Sequence, residues 1–297
     1  MSYPALLQPT LTRRAALIGA ALAACAGRSA SAAEEAVARL AQLERRDGGL
    51  LGVEVRDTAT GRRFGHRADE RFPMCSTFKA IAAAAVLARA DTGQDDLNRR
   101  ITFGRDAVLS YAPVTGKHVE TGMTLAELCA AAVVWSDNTA ANLMLDTLGG
   151  PTGITAFARA HGDTVTRLDR TEPTLNTAIP GDVRDTTSPA AMVGLLENIL
   201  LGWALSVESR GRLIGWMQDS PTGLKRVRAG LPEGWRTADK TGTGDNGTAN
   251  VVALIHRPDG APILAAVYLT GSPAEPAARD ALHAEIGRLI ARSLPGA

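Results

Sequence analysis

Four short segments hold side chains able to cleave an activated amide: Ser76-Thr77-Phe78-Lys79, Ser136-Asp137-Asn138, Glu172-Pro173-Thr174-Leu175-Asn176 and Lys240-Thr241-Gly242. Each alone has a plainer account. Ser76 fits a helix N-cap and Lys79 a solvated helix lysine, while Ser, Asp and Asn are all favoured caps. Their order and spacing along one chain carry the meaning. Ser76 stands at a predicted helix start, where backbone N–H groups lack partners and can hold an oxyanion. Lys79, one turn on and on the same face, can take a proton when desolvated or close to other cations. Ser136 can relay a proton to a leaving nitrogen, Asn138 can hold a substrate amide, and Asp137 braces the loop. Glu172 and Asn176 can grip a water that attacks an ester at Ser76, with Glu172 as base. Arg170 and Asp185 are placed to clamp that loop as an ion pair. Lys240 and Thr241 end a predicted strand and can bind a substrate carboxylate. Gly242 would let an extended substrate approach that strand.

Other chemistries are disfavoured. The five histidines are scattered, with no H-E-x-x-H or H-x-H, so neither metal nor cofactor is expected. Gly242 to Gly247 matches G-x-G-x-x-G, but a strand-like run follows where a dinucleotide fingerprint opens a helix. No G-x-S-x-G elbow is present. The net charge is +1, and without Arg13, Arg14 and Arg28 there are 29 bases against 31 acids. This leaves no footprint for nucleic acid. Cys75 and Cys129 read as two buried free thiols.

The elements that must position these groups follow from periodicity. Helices are predicted over Glu34 to Arg46, Ser76 to Arg89, Thr124 to Val134, Thr139 to Leu148, Thr152 to Ala160 and Pro276 to Ser293. Thr124-Leu125-Ala126-Glu127 is a capping box, and Ser188-Pro189 an N-cap with first-turn proline. Strands are predicted over Leu51 to Arg56, Arg62 to His66, Trp235 to Thr241, Ala249 to His256 and Ile263 to Leu269. Residues 165–187 lack periodicity and carry Pro173, Pro180 and Gly181; a long irregular loop is usually functional or disordered. The expected fold class is α/β of the α+β type. Residues 33–66 and 218–297 would form an α/β unit with one antiparallel sheet, and 67–217 an inserted helical unit.

Residues 1–32 read as a targeting segment. Arg13-Arg14 precedes the apolar run Ala15 to Ala26, which is too short to span a bilayer. The pair resembles a twin-arginine export signal. Two processing readings stay open: cleavage after Ala30-Ser31-Ala32, or a lipobox at Leu22-Ala23-Ala24-Cys25 with a lipid anchor on Cys25. The expected location is the periplasm or cell envelope.

From about Glu34 to the C-terminus, the four segments resemble those of class A serine β-lactamases. The resemblance implies a sheet-and-helix fold and a small-molecule β-lactam substrate. It implies no nucleic acid and no protein partner, and the chain is expected to be a monomer. By position it implies Ser76 as acylated nucleophile, with Lys79 and Glu172 as proton-transfer partners and Glu172 as deacylation base. Ser136 would protonate the leaving nitrogen and Asn138 would bind the acylamino group. The N–H groups of Ser76 and Thr243 would form the oxyanion hole, and Tyr111 would wall the cleft. Glu172-Pro173 would be cis. Three departures stand out. The family's usual arginine after the third strand is Ala249 here, with Arg226 matching an alternative arginine. Cys75 lacks the cysteine that some members pair with it, because Gly244 stands there. Cys129 matches one half of a different family disulfide, whose partner position is Ala83 here. Carbapenem hydrolysis is therefore not implied by Cys75. The competing readings are a penicillin-binding peptidase, which lacks a deacylating loop, and a β-lactam sensor, which would carry a transmembrane signalling segment.

Overall fold

A computed structural model describes residues 32–258 and 260–294. Arg13, Arg14, Arg28, Cys25, Ala30 and Ser31 lie outside the described residues.

Five strands form one antiparallel sheet in the order β2-β1-β9-β8-β7. They are β1 (Leu50–Asp57), β2 (Arg63–His66), β7 (Arg236–Gly244), β8 (Thr248–His256) and β9 (Ile263–Thr270). The two chain ends therefore meet in one sheet, and β7 is one of its two edges. Short strands β3 (Phe72–Pro73) and β6 (Thr186–Thr187) pair with each other, as do β4 (Arg100–Ile101) and β5 (Met123–Thr124). Because successive strand residues face opposite ways, each central strand serves two cores. Val251, Ala253 and Ile255 pack with Leu40, Leu43, Leu282 and Ile286, from helix α1 (residues 32–47) and helix α8 (Pro276–Ser293). Val252 and Leu254 face the second core, with α2 (Phe78–Asp91), α3 (Leu125–Val134), α4 (Asn138–Thr147), α5 (Thr152–Ala160), α6 (Pro189–Leu200) and α7 (Val207–Gln218). Every residue of α2 from Phe78 to Leu87 is buried, as expected of a helix that is apolar all round.

Local chemistry accounts for most boundaries. Gly48, with φ of +71°, ends α1. The capping box forms: Thr124 Oγ1 accepts from Glu127 N–H at 3.2 Å, and Thr124 N–H donates to Glu127 Oε2 at 2.7 Å. Ser188 Oγ caps α6 through Ala191 N–H at 3.2 Å. Helix α7 is absent from the sequence expectation. Gly211, Gly215 and alternating charges hide its stripe, of which Ser209, Leu213 and Met217 are buried. Strand β7 runs three residues beyond the expected Thr241, because Gly242, Thr243 and Gly244 continue the ladder to Asn250, Ala249 and Thr248.

Candidate active site

Ser76 sits in a 3-10 turn, Cys75–Thr77, one turn ahead of α2, and makes no capping hydrogen bond. Cys75 adopts a φ of +46° and Ser136 of +59°. This is the left-handed region that side chains with a Cβ seldom occupy, and such strain concentrates at functional sites. The turn is held from three sides. Asn250 on β8 donates through Nδ2 to the carbonyls of Pro73 and Met74, at 2.9 and 3.1 Å. Met74 N–H donates to the Asp185 carbonyl at 2.9 Å. Strand β7 presses against the turn at Gly242, where an added Cβ would lie 2.7 Å from the Met74 carbonyl oxygen. The missing side chain of Gly242 thus admits the nucleophile turn.

Below Ser76, Lys79 and Glu172 form a fully buried pair, Nζ to Oε1, at 2.9 Å. Ser76 Oγ donates to the same Oε1 at 3.3 Å. Serine and lysine are thus linked through the carboxylate and not directly, as their helical spacing had implied. Lys79 Nζ also donates to the Ser136 carbonyl at 2.8 Å and to Asn138 Oδ1 at 2.6 Å. Burial pulls the Lys79 amine below its ordinary range, and the Glu172 charge opposes that shift. The second Glu172 oxygen accepts from Asn176 Nδ2 at 2.5 Å. Glu172 and Asn176 therefore meet directly, while Asn176 Oδ1 is buried with no hydrogen-bond partner among the described residues.

Glu172 is aimed by its loop. The Glu172-Pro173 bond is cis, as the resemblance implies. Asn142 grips the Glu172 backbone twice, accepting from its N–H and donating to its carbonyl, both at 2.9 Å. Arg170 Nε pairs with Asp185 Oδ2 at 2.5 Å, and the other Asp185 oxygen accepts from the N–H groups of Asp169 and Arg170. The anticipated clamp is present. Asp137 also braces as expected: it caps α4 through Ala140 N–H and accepts from both N–H and Oγ1 of Thr115.

On the sheet side, Lys240 is fully buried. Its Nζ donates to Ser136 Oγ at 3.0 Å and to the Thr241 carbonyl at 2.9 Å. It stands behind Ser136 and is not among the residues that line the cavity. Burial, with the Lys79 charge adding to it, pulls the Lys240 amine well below its ordinary range. Arg226 reaches β7 from outside. It donates to the Gly242 and Asn250 carbonyls at 2.9 and 2.8 Å and to Thr243 Oγ1 at 2.8 Å, while Asp280 holds its Nε at 3.0 Å. Ala249 pairs with Thr243 in the ladder, so Arg226 brings a guanidinium to the strand residue opposite Ala249. Cys75 and Cys129 are free and buried, as expected.

These groups surround a cavity of about 320 Å³ lined by Ser76, Tyr111, Ser136, Asn138, Asn176, Thr222, Arg226, Thr241 and Thr243. Lys79, Glu172, Lys240 and Gly242 lie behind that wall. Tyr111 is half exposed at the mouth, and its carbonyl accepts from Asn138 N–H at 3.0 Å. Three contributors escaped sequence reasoning. Thr222 accepts from Thr241 Oγ1 at 2.7 Å, and nothing near it in the chain signals this. Asn142 had a signal, standing one helical turn beyond Asn138 on α4. Asn250 became legible only through its pairing with Gly242.

The sequence profile of the Beta-lactamase enzyme family matches residues 32–294. Beta-lactamase OXY-2 of Klebsiella oxytoca is 46% identical over 256 residues, covering 86% of this chain and 88% of that protein. Beta-lactamase CTX-M-8 of Citrobacter amalonaticus is 51% identical over 232 residues, covering 78% and 80%. The solved structure of an ancestral (GNCA) class A β-lactamase superposes with a TM-score of 0.86 at 59% identity, covering 87% of this chain and all of that one.

Proposed function

This chain belongs to the class A serine β-lactamases, which open β-lactam rings through a serine acyl-enzyme and confer antibiotic resistance, and from that premise we propose how its residues divide the reaction. Ser76 Oγ attacks the lactam carbonyl and its proton passes to Glu172 Oε1. The C–N bond breaks as Ser136 protonates the leaving nitrogen; Lys79, with Lys240 beside it, resupplies Ser136 and takes the proton from Glu172, which returns to its carboxylate form. Water then attacks the ester with Glu172 as base, and Ser76 Oγ leaves with the proton that Glu172 took from that water. The N–H groups of Ser76 and Thr243 hold the oxyanion in both steps. Asn138 and Asn176 receive the acylamino side chain and the attacking water. Thr241, Thr243 and Arg226 receive the substrate carboxylate, and Tyr111 walls the mouth.

The observation that carries this reading is the single carboxylate oxygen shared by Ser76 Oγ and Lys79 Nζ. A base touching the nucleophile can serve acylation, and the same base on a loop gripped by Asn142 and Asn176 can serve deacylation. The peptidase reading lacks such a loop. The test is intact-mass spectrometry after penicillin exposure. Glu172→Gln should hold the penicilloyl adduct, with deacylation slowed about 10²–10⁴-fold. Return of the variant to its free mass as fast as the parent removes Glu172 from this role.

The same reading includes the division into an α/β unit (33–66, 218–297) and a helical unit (67–217). It is supported by two cores on opposite sheet faces, with the cavity where β7 meets Ser76 and the Glu172 loop. It also includes a monomer exported through the Arg13-Arg14 signal, processed either beyond Ala32 or at a lipidated Cys25. Replacing Arg13 and Arg14 by lysines should abolish periplasmic activity; unchanged activity there means an ordinary signal.

A further inference from the structure

The turn joining β7 to β8 follows local rules. Thr248 N–H donates to the Asp245 carbonyl at 3.1 Å, and both central residues, Asn246 and Gly247, have positive φ, +51° and +63°. This is the two-residue hairpin for which Asn-Gly is a favoured pair. Those rules account for the Asn246 backbone and not for the direction of its side chain. Asn246 Nδ2 donates to two carbonyls of the Glu172 loop, Thr177 at 3.0 Å and Ala178 at 3.1 Å. The adjacent Asp245 N–H donates to the Asn176 carbonyl at 2.9 Å. Three successive loop carbonyls therefore end on the hairpin tip. They begin at Asn176, whose Nδ2 holds Glu172 Oε2. Ala178 is buried and has a φ of +45°, a costly conformation for a residue with a Cβ, so this stretch needs support from outside. The support is itself fixed. The Asn246 carbonyl accepts from Gly271 N–H at 2.6 Å, just beyond β9, and a Cβ on Gly247 would collide with the Ser272 carbonyl. On β7, a Cβ at Gly244 would lie 2.5 Å from the Asn176 carbonyl oxygen, so hairpin and loop meet backbone to backbone.

We propose that Asn246 is a positioning residue for the second half of the reaction: its side-chain amide clamps the loop just beyond Asn176 and so keeps Asn176 and Glu172 aimed at the attacking water. This role rests on Glu172 as deacylation base. Acylation depends less on the clamp, because Ser76 Oγ and Lys79 Nζ both bond Glu172 Oε1, while Asn176 holds the other oxygen. Asn246→Gly isolates the amide, since glycine keeps the positive φ at no steric cost. Single-turnover stopped-flow with a chromogenic cephalosporin should show acylation within about twofold of the parent and deacylation slowed about tenfold, as two hydrogen bonds are lost. Hydrogen exchange of the free enzyme, read by mass spectrometry, should be faster in residues 174–182 and unchanged in β8 and β9. Asn246→Asp keeps the turn but sets a carboxylate against two carbonyls, and should slow deacylation at least as much. A residue that served the turn alone would leave Asn246→Gly equal to the parent. The clamp falls if Asn246→Gly deacylates like the parent, if its acylation slows in parallel, or if exchange in residues 174–182 is unchanged. A Glu172→Gln variant that sheds its adduct freely, while Asn246→Gly still loosens the loop, overturns the role of Glu172 and not the clamp.

Discussion

Arg226 illustrates how one side chain joins structure to specificity. Its guanidinium satisfies two buried strand carbonyls and a hydroxyl at the cavity wall while Asp280 holds its other edge. Arg226→Ala should raise KM more than it lowers kcat for substrates with the usual carboxylate, because a binding contact is lost. It should also cost about 1–3 kcal/mol of stability, since carbonyls left without donors carry a desolvation penalty. Steady-state kinetics and urea unfolding on one preparation check both; unchanged KM removes Arg226 from carboxylate binding. Ser76, Lys79, Glu172 and Asn176 could be picked out from the sequence because their chemistry is uncommon at that spacing. The route from serine to lysine through Glu172 could not. It depends on a contact between residues 96 positions apart.

At the scale of elements, the site is a meeting of three pieces: the turn before α2, the edge strand β7 and the irregular loop. Gly242 is where the first two touch. Gly242→Ala would place a methyl 2.7 Å from the Met74 carbonyl, closer than real Cβ contacts allow, so strand or turn must move. A shift near 1 Å at reacting groups can cost about 10²-fold in rate. The expected result is a large fall in kcat/KM with near-parent circular dichroism; parent-like kinetics would show that the junction tolerates movement. The loop has a comparable support in Asn142. Asn142→Ala leaves the Glu172 N–H and carbonyl without their partners. Deacylation should then slow more than acylation, producing a burst in stopped-flow hydrolysis of a chromogenic cephalosporin. The loop announced itself by its lack of periodicity, its prolines and its charges. Its shape was not legible, because side-chain grips on its backbone replace the regular ladder.

For the molecule as a whole, pH separates a buried group, His283, and a half-buried one, Glu44, on the sheet's α1–α8 side. Burial, reinforced by the Arg226 charge, lowers the His283 pKa from 6.5 to about 4. The folded state binds this proton less readily than the unfolded chain. Its contribution is therefore complete above pH 6.5 and is lost as pH falls toward 4, amounting to about 3 kcal/mol. Burial acts to raise the Glu44 pKa, but hydrogen bonds from Arg67, Leu51 N–H and His66 outweigh it and bring the value to about 2. That contribution is complete above pH 4.5 and is lost below it. Urea midpoints measured from pH 7 to 4.5 should fall for the parent and stay flatter for His283→Gln. An equal slope in both would assign the loss elsewhere.

What the sequence determined by itself was composition, periodicity and the identity of reactive groups. Short apolar runs bounded by turn residues specified the sheet strands, an alanine-rich run specified α2, and the four segments specified the chemistry, because each signal is local. Tertiary structure decided the rest. It put Lys240 behind Ser136 and out of the cavity, turned Gly242 into a packing contact, and brought Asn250, Asn142 and Thr222 to the site. Burial and hydrogen bonding depend on which distant elements meet, and residue type cannot state that before the chain has folded.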